Sequence, residues 1–519
     1  MRIAKKFLAW MVVMSQSLLP ITSYATPAIA PQTTPPNIVV IMVDDVAPYD
    51  LSTYHRGIGA VRTPNIDRLA KEGMTIADYY GQPSCTAGRA AFLTGQYPIR
   101  TGLTTVGQPG SPTGISGQDI TIAEALKARG YSTGQFGKSH VGDRNEHLPT
   151  VHGFDVFYGM LYHLNMMEVM EQPDFPTDPN YVGRPRNMLL THATTIDNPQ
   201  IDPRFGKIGM QTIEDKGRLD TTRMQRVDEE FAQAAISWMR GEKAKNKPFF
   251  LWFNPTRMHQ PIKVGAPWRG RSGHGEYADG LLQLDSIVGD VLNSLDVMGV
   301  AQNTIVLFTS DNGVNLQFWP QSGTASYRGQ KGTTWEGGFR VPMLARWPGH
   351  IPADSISTGM MSAEDWLPTL LGMLGDTTIA ARLKAGANIG GKDYKLNIDG
   401  YNQTEMLAGS GASKRHEFFY YAETQLAAIR VDQWKVHLAI KDNWIDDLRK
   451  IPGGLLFDIK LDPFERAQEG ANHELWARSK MWVINQFAPF MRAHQQSLRE
   501  FPPRQSGDRL GASSLSSGN

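Results

Sequence analysis

The amino-acid sequence predicts an α/β fold: a large, mostly parallel central sheet flanked by helices, followed by a smaller C-terminal α+β domain with an antiparallel sheet. Three observations carry that reading. Apolar runs at residues 37–43 (NIVVIMV), 249–253 (FFLWF) and 304–309 (TIVLFT) lack polar alternation, as expected of strands covered on both faces. Amphipathic helical spacings stand between these runs, so helix and strand alternate. Farther on, EFFYYAE, LAAIRV and KVHLAI follow one another in hairpin order between residues 417 and 440.

From the start of the chain, Arg2, Lys5 and Lys6 precede an apolar run at residues 7–14, and Ser23-Tyr24-Ala25 offers small residues where a signal peptidase reads. The run falls short of the roughly 20 residues that span a bilayer. A signal peptide over 1–25 is expected, with no stable membrane insertion and an exported protein, periplasmic or secreted. The domain expected to carry the chemistry covers 36–385. Thr63-Pro64 reads as a helix start, with Ile66, Leu69 and Ala70 on the apolar side and Gly73 at the end. Thr121 and Glu124 form a capping box for a second helix closing at Gly130. The short strand after it delivers Lys138 and His140. Periodicity fades around 153–223, which reads as an insertion bordering the active site. Val227, Phe231, Ala235 and Trp238, then Leu281, Leu284, Val288, Leu292 and Leu295, mark two long helices. Residues 386–411, rich in Gly, Asn and Asp, open the smaller domain, expected over 386–500 with a helix at 473–492. Residues 504–519 read as a flexible tail.

Composition narrows the function. The 519 residues include 52 Lys+Arg against 51 Asp+Glu, a net charge of +1, and are 41% hydrophobic, so neither a disordered chain nor a basic nucleic-acid surface fits. Nothing marks a subunit interface, and the oligomeric state stays open. The one cysteine, Cys85, rules out an intramolecular disulfide in an exported protein.

In a parallel sheet, ligands gather beyond the carboxyl ends of the strands. Asp44-Asp45 and Asp311-Asn312 each end a buried run, and three carboxylates with one amide oxygen make a hard, oxygen-only set for Ca²⁺ or Mg²⁺. Asp-Asn-Gly at 311–313 is equally a turn signal. Cys85 precedes an Ala/Phe/Leu run, which places it at a helix N-terminus, with Arg89 one turn on along the same face. That arrangement suits an activated nucleophile. A soft thiolate is nonetheless poorly matched to a hard cation.

Cys85-Thr86-Ala87-Gly88-Arg89, followed by Leu93-Thr94-Gly95, resembles the signature of the type I sulfatases of the alkaline-phosphatase-like superfamily, which more often have Pro where this chain has Ala87. The resemblance implies that Cys85 is oxidised by a maturation enzyme to Cα-formylglycine, whose hydrate is the nucleophile. Asp44-Asp45 and Asp311-Asn312 resemble the family's metal pairs, with residue 85 also facing the cation. Phe136-Gly137-Lys138-Ser139-His140 resembles the block holding a sulfate-binding lysine and a histidine bonded to the hydrate. His259-Gln260-Pro261 resembles the block of a sulfate-binding histidine. Lys331-Gly332-Thr333 with Glu336-Gly337-Gly338-Phe339 resembles the second signature, whose lysine contacts sulfate.

The resemblance implies an arylsulfatase-type sulfate monoester hydrolase: one divalent cation, Ca²⁺ ahead of Mg²⁺, and catalytic Cys85, Arg89, Lys138, His140, His259 and Lys331. Between His259 and Lys331 as the acid for the leaving alcohol, an ordinary histidine pKa favours His259. Arg328 and Glu336 read as structural partners of the Lys331 loop, and His163 as a pocket residue. The expected substrate is a small-molecule or glycan sulfate ester. The alternatives are a phosphonate monoester or phosphodiester hydrolase on the same site, a sulfatase specialised for sulfated carbohydrates, an unmodified cysteine nucleophile, or an exported binding protein without activity.

Overall fold

The computed structural model describes residues 34–507; the expected leader and residues 508–519 lie outside that range. The first apolar run forms strand β1 (Asn37–Val43) at the centre of a ten-stranded sheet. With β2 (Met74–Ile76), β3 (Ser132–Lys138), β4 (Val156–Met160), β5 (Leu189–Asp202), β6 (Gly206–Asp215), β7 (Phe249–Asn254), β8 (Thr304–Ser310), β9 (Met343–Arg346) and β10 (Ser355–Ser357), the order is β10-β2-β9-β8-β1-β7-β3-β4-β5-β6. The five strands from β8 to β4 run parallel, and β9, β5 and β6 add antiparallel pairings on either side. Every residue of β1, β7 and β8 is buried, which is why these strands read as unbroken apolar runs.

Helices cover both faces. On one side pack α1 (Pro64–Glu72), α4 (Val227–Ala244) and α5 (Glu276–Val297), whose Val227, Phe231, Leu284 and Val288 join Val39 and Ile41 in one apolar cluster. On the other lie α2 (Cys85–Thr94) and α3 (Ile122–Lys127), with Phe92 and Leu126 against Val40 and Trp252. The capping box of α3 forms: Thr121 Oγ1 accepts from Glu124 N–H at 3.0 Å and Glu124 Oε2 from Thr121 N–H at 2.9 Å. Helix α1 starts differently from its sequence signal. Thr63 makes no side-chain cap; Asp285 from α5 accepts from the N–H groups of Asn65 and Ile66, at 3.1 and 2.9 Å. A cap supplied from a distant helix leaves no local signal.

Residues 153–223, where apolar periodicity fades, extend the sheet through β4, β5 and β6. The β5–β6 hairpin is exposed over much of its length, so apolar periodicity is lost although strands form. Near the C-terminus, β11 (Glu417–Ala422), β12 (Gln425–Val431), β13 (Trp434–Ile440) and β14 (Arg449–Asp458) make the separate antiparallel sheet. The helix expected over 473–492 is two: α6 (His473–Ser479) and α7 (Ile484–Glu500), separated by a 3-10 turn at Met481–Val483. Arg504 and Gln505, read as tail, are packed, with Arg504 N–H on Arg100 O at 2.8 Å and Gln505 Nε2 on Thr101 O at 2.7 Å. Among the described residues no helix is long and apolar enough to cross a membrane.

Candidate active site

Because β1, β3, β7 and β8 are parallel, their carboxyl ends share one rim. Asp44-Asp45 follow β1, Asp311-Asn312 follow β8, Lys138 ends β3 with His140 two residues on, and His259 lies beyond β7. The β1 and β7 loops are tied by backbone bonds: Asp44 N–H donates to Arg257 O at 3.2 Å and Met258 N–H to Asp44 O at 2.7 Å. Asp45 and His140 hold φ of 56° and 58°, left-handed conformations that cost roughly 1–2 kcal/mol each outside glycine and cluster at working sites. Helix α2 supplies Cys85 and Arg89. It closes on the β8 loop so tightly that a Cβ on Gly88 would stand 2.0 Å from Asp311 O, which accounts for the glycine in the Cys-x-x-Gly-Arg segment. All the sequence-predicted site residues are buried on this rim.

Ligand atoms of Asp44, Asp45, Cys85 and Asp311 lie within 4.8 Å of one another. Asn312 Nδ2 donates to Asp45 Oδ1 at 2.7 Å and to Gly313 O at 2.8 Å. Its Oδ1, like Asp45 Oδ2, is buried without a hydrogen-bond partner. A buried oxygen left this way costs about 1–3 kcal/mol, and hard oxygens converging unsatisfied on one point are what a Ca²⁺ or Mg²⁺ ion coordinates. The donor set fits a divalent cation.

Positive charge surrounds these oxygens. Lys138 Nζ is 2.5 Å from Asp44 Oδ2, Lys331 Nζ 2.5 Å from Asp45 Oδ1, and Arg89 Nη2 2.8 Å from Asp311 Oδ2. Arg89 therefore points into the acidic cluster, not to solvent. Burial opposes ionisation of Asp44, but Lys138, His259, Arg89 and Lys331 together hold its carboxyl well below the usual range. Asp311 goes the other way: burial first, then Asp44, push it up to about 6. Cys85 Sγ accepts from Lys331 Nζ at 2.9 Å and lies 3.5 Å from Asp44 Oδ1. Burial and Asp44 push its thiol up to about 12, with Lys138 and Lys331 offsetting only part. The helix start does not by itself make a thiolate here.

Three buried histidine rings lie in contact with one another. His259 Nδ1 meets Gln260 O at 2.6 Å, and its Nε2 is 3.8 Å from Asp45 Oδ2. Burial, then Lys331, lower its pKa to about 4, so the ordinary value that favoured His259 over Lys331 as the acid does not hold in this environment. Lys331 is shifted up: burial, the largest single influence, works against it, and Asp45, Cys85, Asp44 and Asp311 together outweigh burial. His140 Nε2 lies 3.2 Å from Gly107 O, while its Nδ1 is buried without a partner. His163 stands between them, stacked on His259 with centroids 5.3 Å apart and edge-on to His140 at 5.5 Å. The position of His163 is tertiary, set by the strand pair β3–β4. Glu336 meets Tyr80, Arg340, Tyr420 and Lys435, and Arg328 stacks over Trp335 at 3.6 Å. Trp444, which sequence spacing does not reveal, has its ring centroid 5.7 Å from Lys331 Nζ.

Known proteins resemble this chain in sequence and fold. Residues 36–376 match the family model described as Sulfatase. The chain is 31% identical over 454 residues to arylsulfatase A of Homo sapiens, covering 83% of this chain and 82% of that protein. It is 31% identical over 504 residues to the N-acetylgalactosamine-6-sulfatase of Canis lupus familiaris, covering 90% and 87%. In three dimensions it resembles the PsFucS1 sulfatase from Pseudoalteromonas sp., with a TM-score of 0.77 at 26% identity over 91% of this chain and 92% of that one.

Proposed function

This chain belongs to the sulfatase family and is a sulfuric ester hydrolase, and from that premise we propose how its residues divide the work. Asp44, Asp45, Asp311 and Asn312 hold one divalent cation, Ca²⁺ ahead of Mg²⁺. Cys85 is converted to Cα-formylglycine by a maturation enzyme. The observation that carries this reading is the pair of buried, partnerless oxygens, Asp45 Oδ2 and Asn312 Oδ1, beside a thiol whose soft sulfur is a poor match for the cation they suit. When bound, the cation supplies positive charge to the sulfate oxygens and the attacking oxygen. The hydrated aldehyde supplies one hydroxyl to attack sulfur and a second whose deprotonation lets sulfate leave.

The remaining side chains bind and move protons. Lys138 and Lys331, cations on either side of residue 85, turn from Asp44 and Asp45 toward the incoming sulfate and balance the charge that grows on it. Arg89 stays with Asp44 and Asp311 and fixes them. His259, its Nδ1–H held by Gln260 O, presents Nε2. A bound anion beside Nε2 raises its affinity for a proton, which it passes to the leaving alcohol. His140, with Nε2–H on Gly107 O, keeps Nδ1 to accept the proton of the second hydroxyl. The protein is exported behind the 1–25 leader, with a mature terminus at Thr26, and residues 36–385 carry the chemistry while 386–500 form the second domain.

Mass spectrometry of the tryptic fragment 72–89, with metal content read on the same sample, tests this. The expected result is an aldehyde in place of the Cys85 thiol and about one Ca²⁺ per chain. Full sulfatase activity from a protein whose Cys85 is wholly unmodified would sink the assignment. Relative turnover of an aryl sulfate and an aryl phosphonate ester ranks the two ester classes.

A further inference from the structure

The residues after α7 dock on the segment that runs from Arg100 to Asp119. Arg504 N–H donates to Arg100 O at 2.8 Å, and its guanidinium meets the buried Asp119 carboxylate at 3.3 Å. Gln505 reaches two carbonyls at once: Nε2 donates to Thr101 O and to Gly114 O, each at 2.7 Å. A carboxamide nitrogen carries two hydrogens, so both are used. The fit is close, since a Cβ on Gly102 would stand 2.4 Å from Gln505 Cγ. Gly102 holds φ of 78°, which glycine adopts without strain.

One side chain thus closes the loop 101–114 at both ends. Midway round that loop, Gly107 touches two parts of the site. Its N–H donates to Thr86 Oγ1 at 3.0 Å, next to Cys85 in the first turn of α2. Its carbonyl oxygen faces His140 Nε2 at 3.2 Å. Farther on, Gly110 N–H donates to Asp143 Oδ2 and Ile115 N–H to Val141 O, both at 2.8 Å. Residues 102–110 form no helix or strand of their own, so the place of Gly107 depends on where the loop is held.

We propose that Gln505 is a positioning residue for the hydrolysis: by tying Thr101 O to Gly114 O, it holds Gly107 O against His140. A neutral imidazole has one N–H, and the bond made by one nitrogen fixes the state of the other. Gly107 O keeps that proton on Nε2 and leaves Nδ1 to accept. In the step assigned to His140, the proton of the second hydroxyl passes to Nδ1. The carbon–oxygen bond to sulfate breaks, its electron pair leaves with sulfate, and the aldehyde re-forms. A loop that drifts lets the imidazole proton move to Nδ1, and this step slows. The alcohol has already departed, so its release keeps its rate. The inference rests on the proposed role of His140 in that second half of the reaction.

Stopped-flow hydrolysis of p-nitrophenyl sulfate by the holoenzyme tests this on Q505M, Q505E and H140Q, with active sites counted by aldehyde content. Methionine keeps the length without a donor, and glutamate offers only acceptors to two carbonyls. Both Gln505 variants release about one p-nitrophenol per aldehyde in a fast phase. Steady turnover then runs between about tenfold and a hundredfold below that of the unaltered enzyme. The values of kcat and KM fall together and kcat/KM holds, because the alcohol departs before the slowed step. H140Q gives the same pattern. A loop that matters only for packing lowers kcat/KM without a burst, and that result in Q505M and Q505E overturns the proposal. An unaltered kcat in Q505M overturns it too. In either case a burst in H140Q leaves the role of His140 standing. If H140Q shows no burst, His140 does not serve the second half of the reaction, and the role of Gln505 fails with it.

Discussion

Among the clusters of buried charge in the described residues, the one around Glu336 and the one at the strand ends differ in how fully their oxygens are paired. Around Glu336, every carboxylate oxygen is matched: Oε1 accepts from Tyr420 and Lys435, Oε2 from Tyr80 and Arg340. Asp78 is likewise shared among Arg340, Arg430 and Lys460, and Glu465 among Lys435, His437 and the Glu336 N–H. At the strand ends, Asp44, Asp45 and Asp311 are just as buried and just as surrounded by cations, yet Asp45 Oδ2 and Asn312 Oδ1 have no hydrogen-bond partner. Burial and charge are common to both. What separates them is satisfaction: the first cluster joins the C-terminal sheet to the body with its carboxylate oxygens matched, and the second leaves those two oxygens without a hydrogen-bond partner, which is what supports the cation site proposed above.

Removing the nucleophile puts the greatest load on that contrast. Cys85→Ser has no route to the aldehyde and at most one slow turnover, so steady-state sulfate release falls by about a thousandfold or more. The melting temperature barely moves, since Ser fits the same space. Repeated turnover at the unaltered rate would contradict the mechanism. The matched cluster responds oppositely. Glu336→Gln leaves Lys435, Arg340 and Arg430 short of a counter-charge and costs about 3–5 kcal/mol in denaturant unfolding. Unaltered stability would mean that the cluster does not brace the sheet.

Next in size is an acid effect at the same interface. His494 on α7 meets Tyr421 OH at 2.6 Å and stacks on Phe419, and burial lowers its pKa to about 4. The folded value lies below the unfolded one, so the native state binds fewer protons. Stability is complete above about pH 6.5 and declines toward pH 4, by up to about 3 kcal/mol. Unfolding midpoints across that range read it, and His494→Gln flattens the slope. The smallest effect has the opposite sign. Asp311 is raised to about 6, so its ionisation burdens the metal-free protein at pH 7. Asp311→Asn stabilises that form by about 1 kcal/mol while abolishing metal uptake. A loss of stability in metal-free buffer would place Asp311 with the matched cluster.

Much of the rim was legible because its signals are local. A parallel strand buried on both faces is an unbroken apolar run, and the polar pair that ends it marks the functional edge, as at Val43-Asp44 and Ser310-Asp311. The unread parts depend on distant partners. Nothing near Thr63 announces that Asp285 caps its helix. The β5–β6 hairpin hides its strands behind two exposed faces, and β14 is disguised by Pro452-Gly453-Gly454. The environment of His259 is likewise tertiary, since its low pKa comes from enclosure and from Lys331.

The contact of Gly88 with Asp311 O also sets an order of events. Cys85 is wholly enclosed in the folded chain, and the wall that encloses it belongs to a segment synthesised much later. While the ribosome is still short of β8, the Asp311 side of that wall is missing, and the thiol stays open on that side to a large catalyst. Pairings so far apart in sequence form slowly, which lengthens the interval. Once β8 docks, the cysteine is sealed in whatever chemical form it has by then acquired.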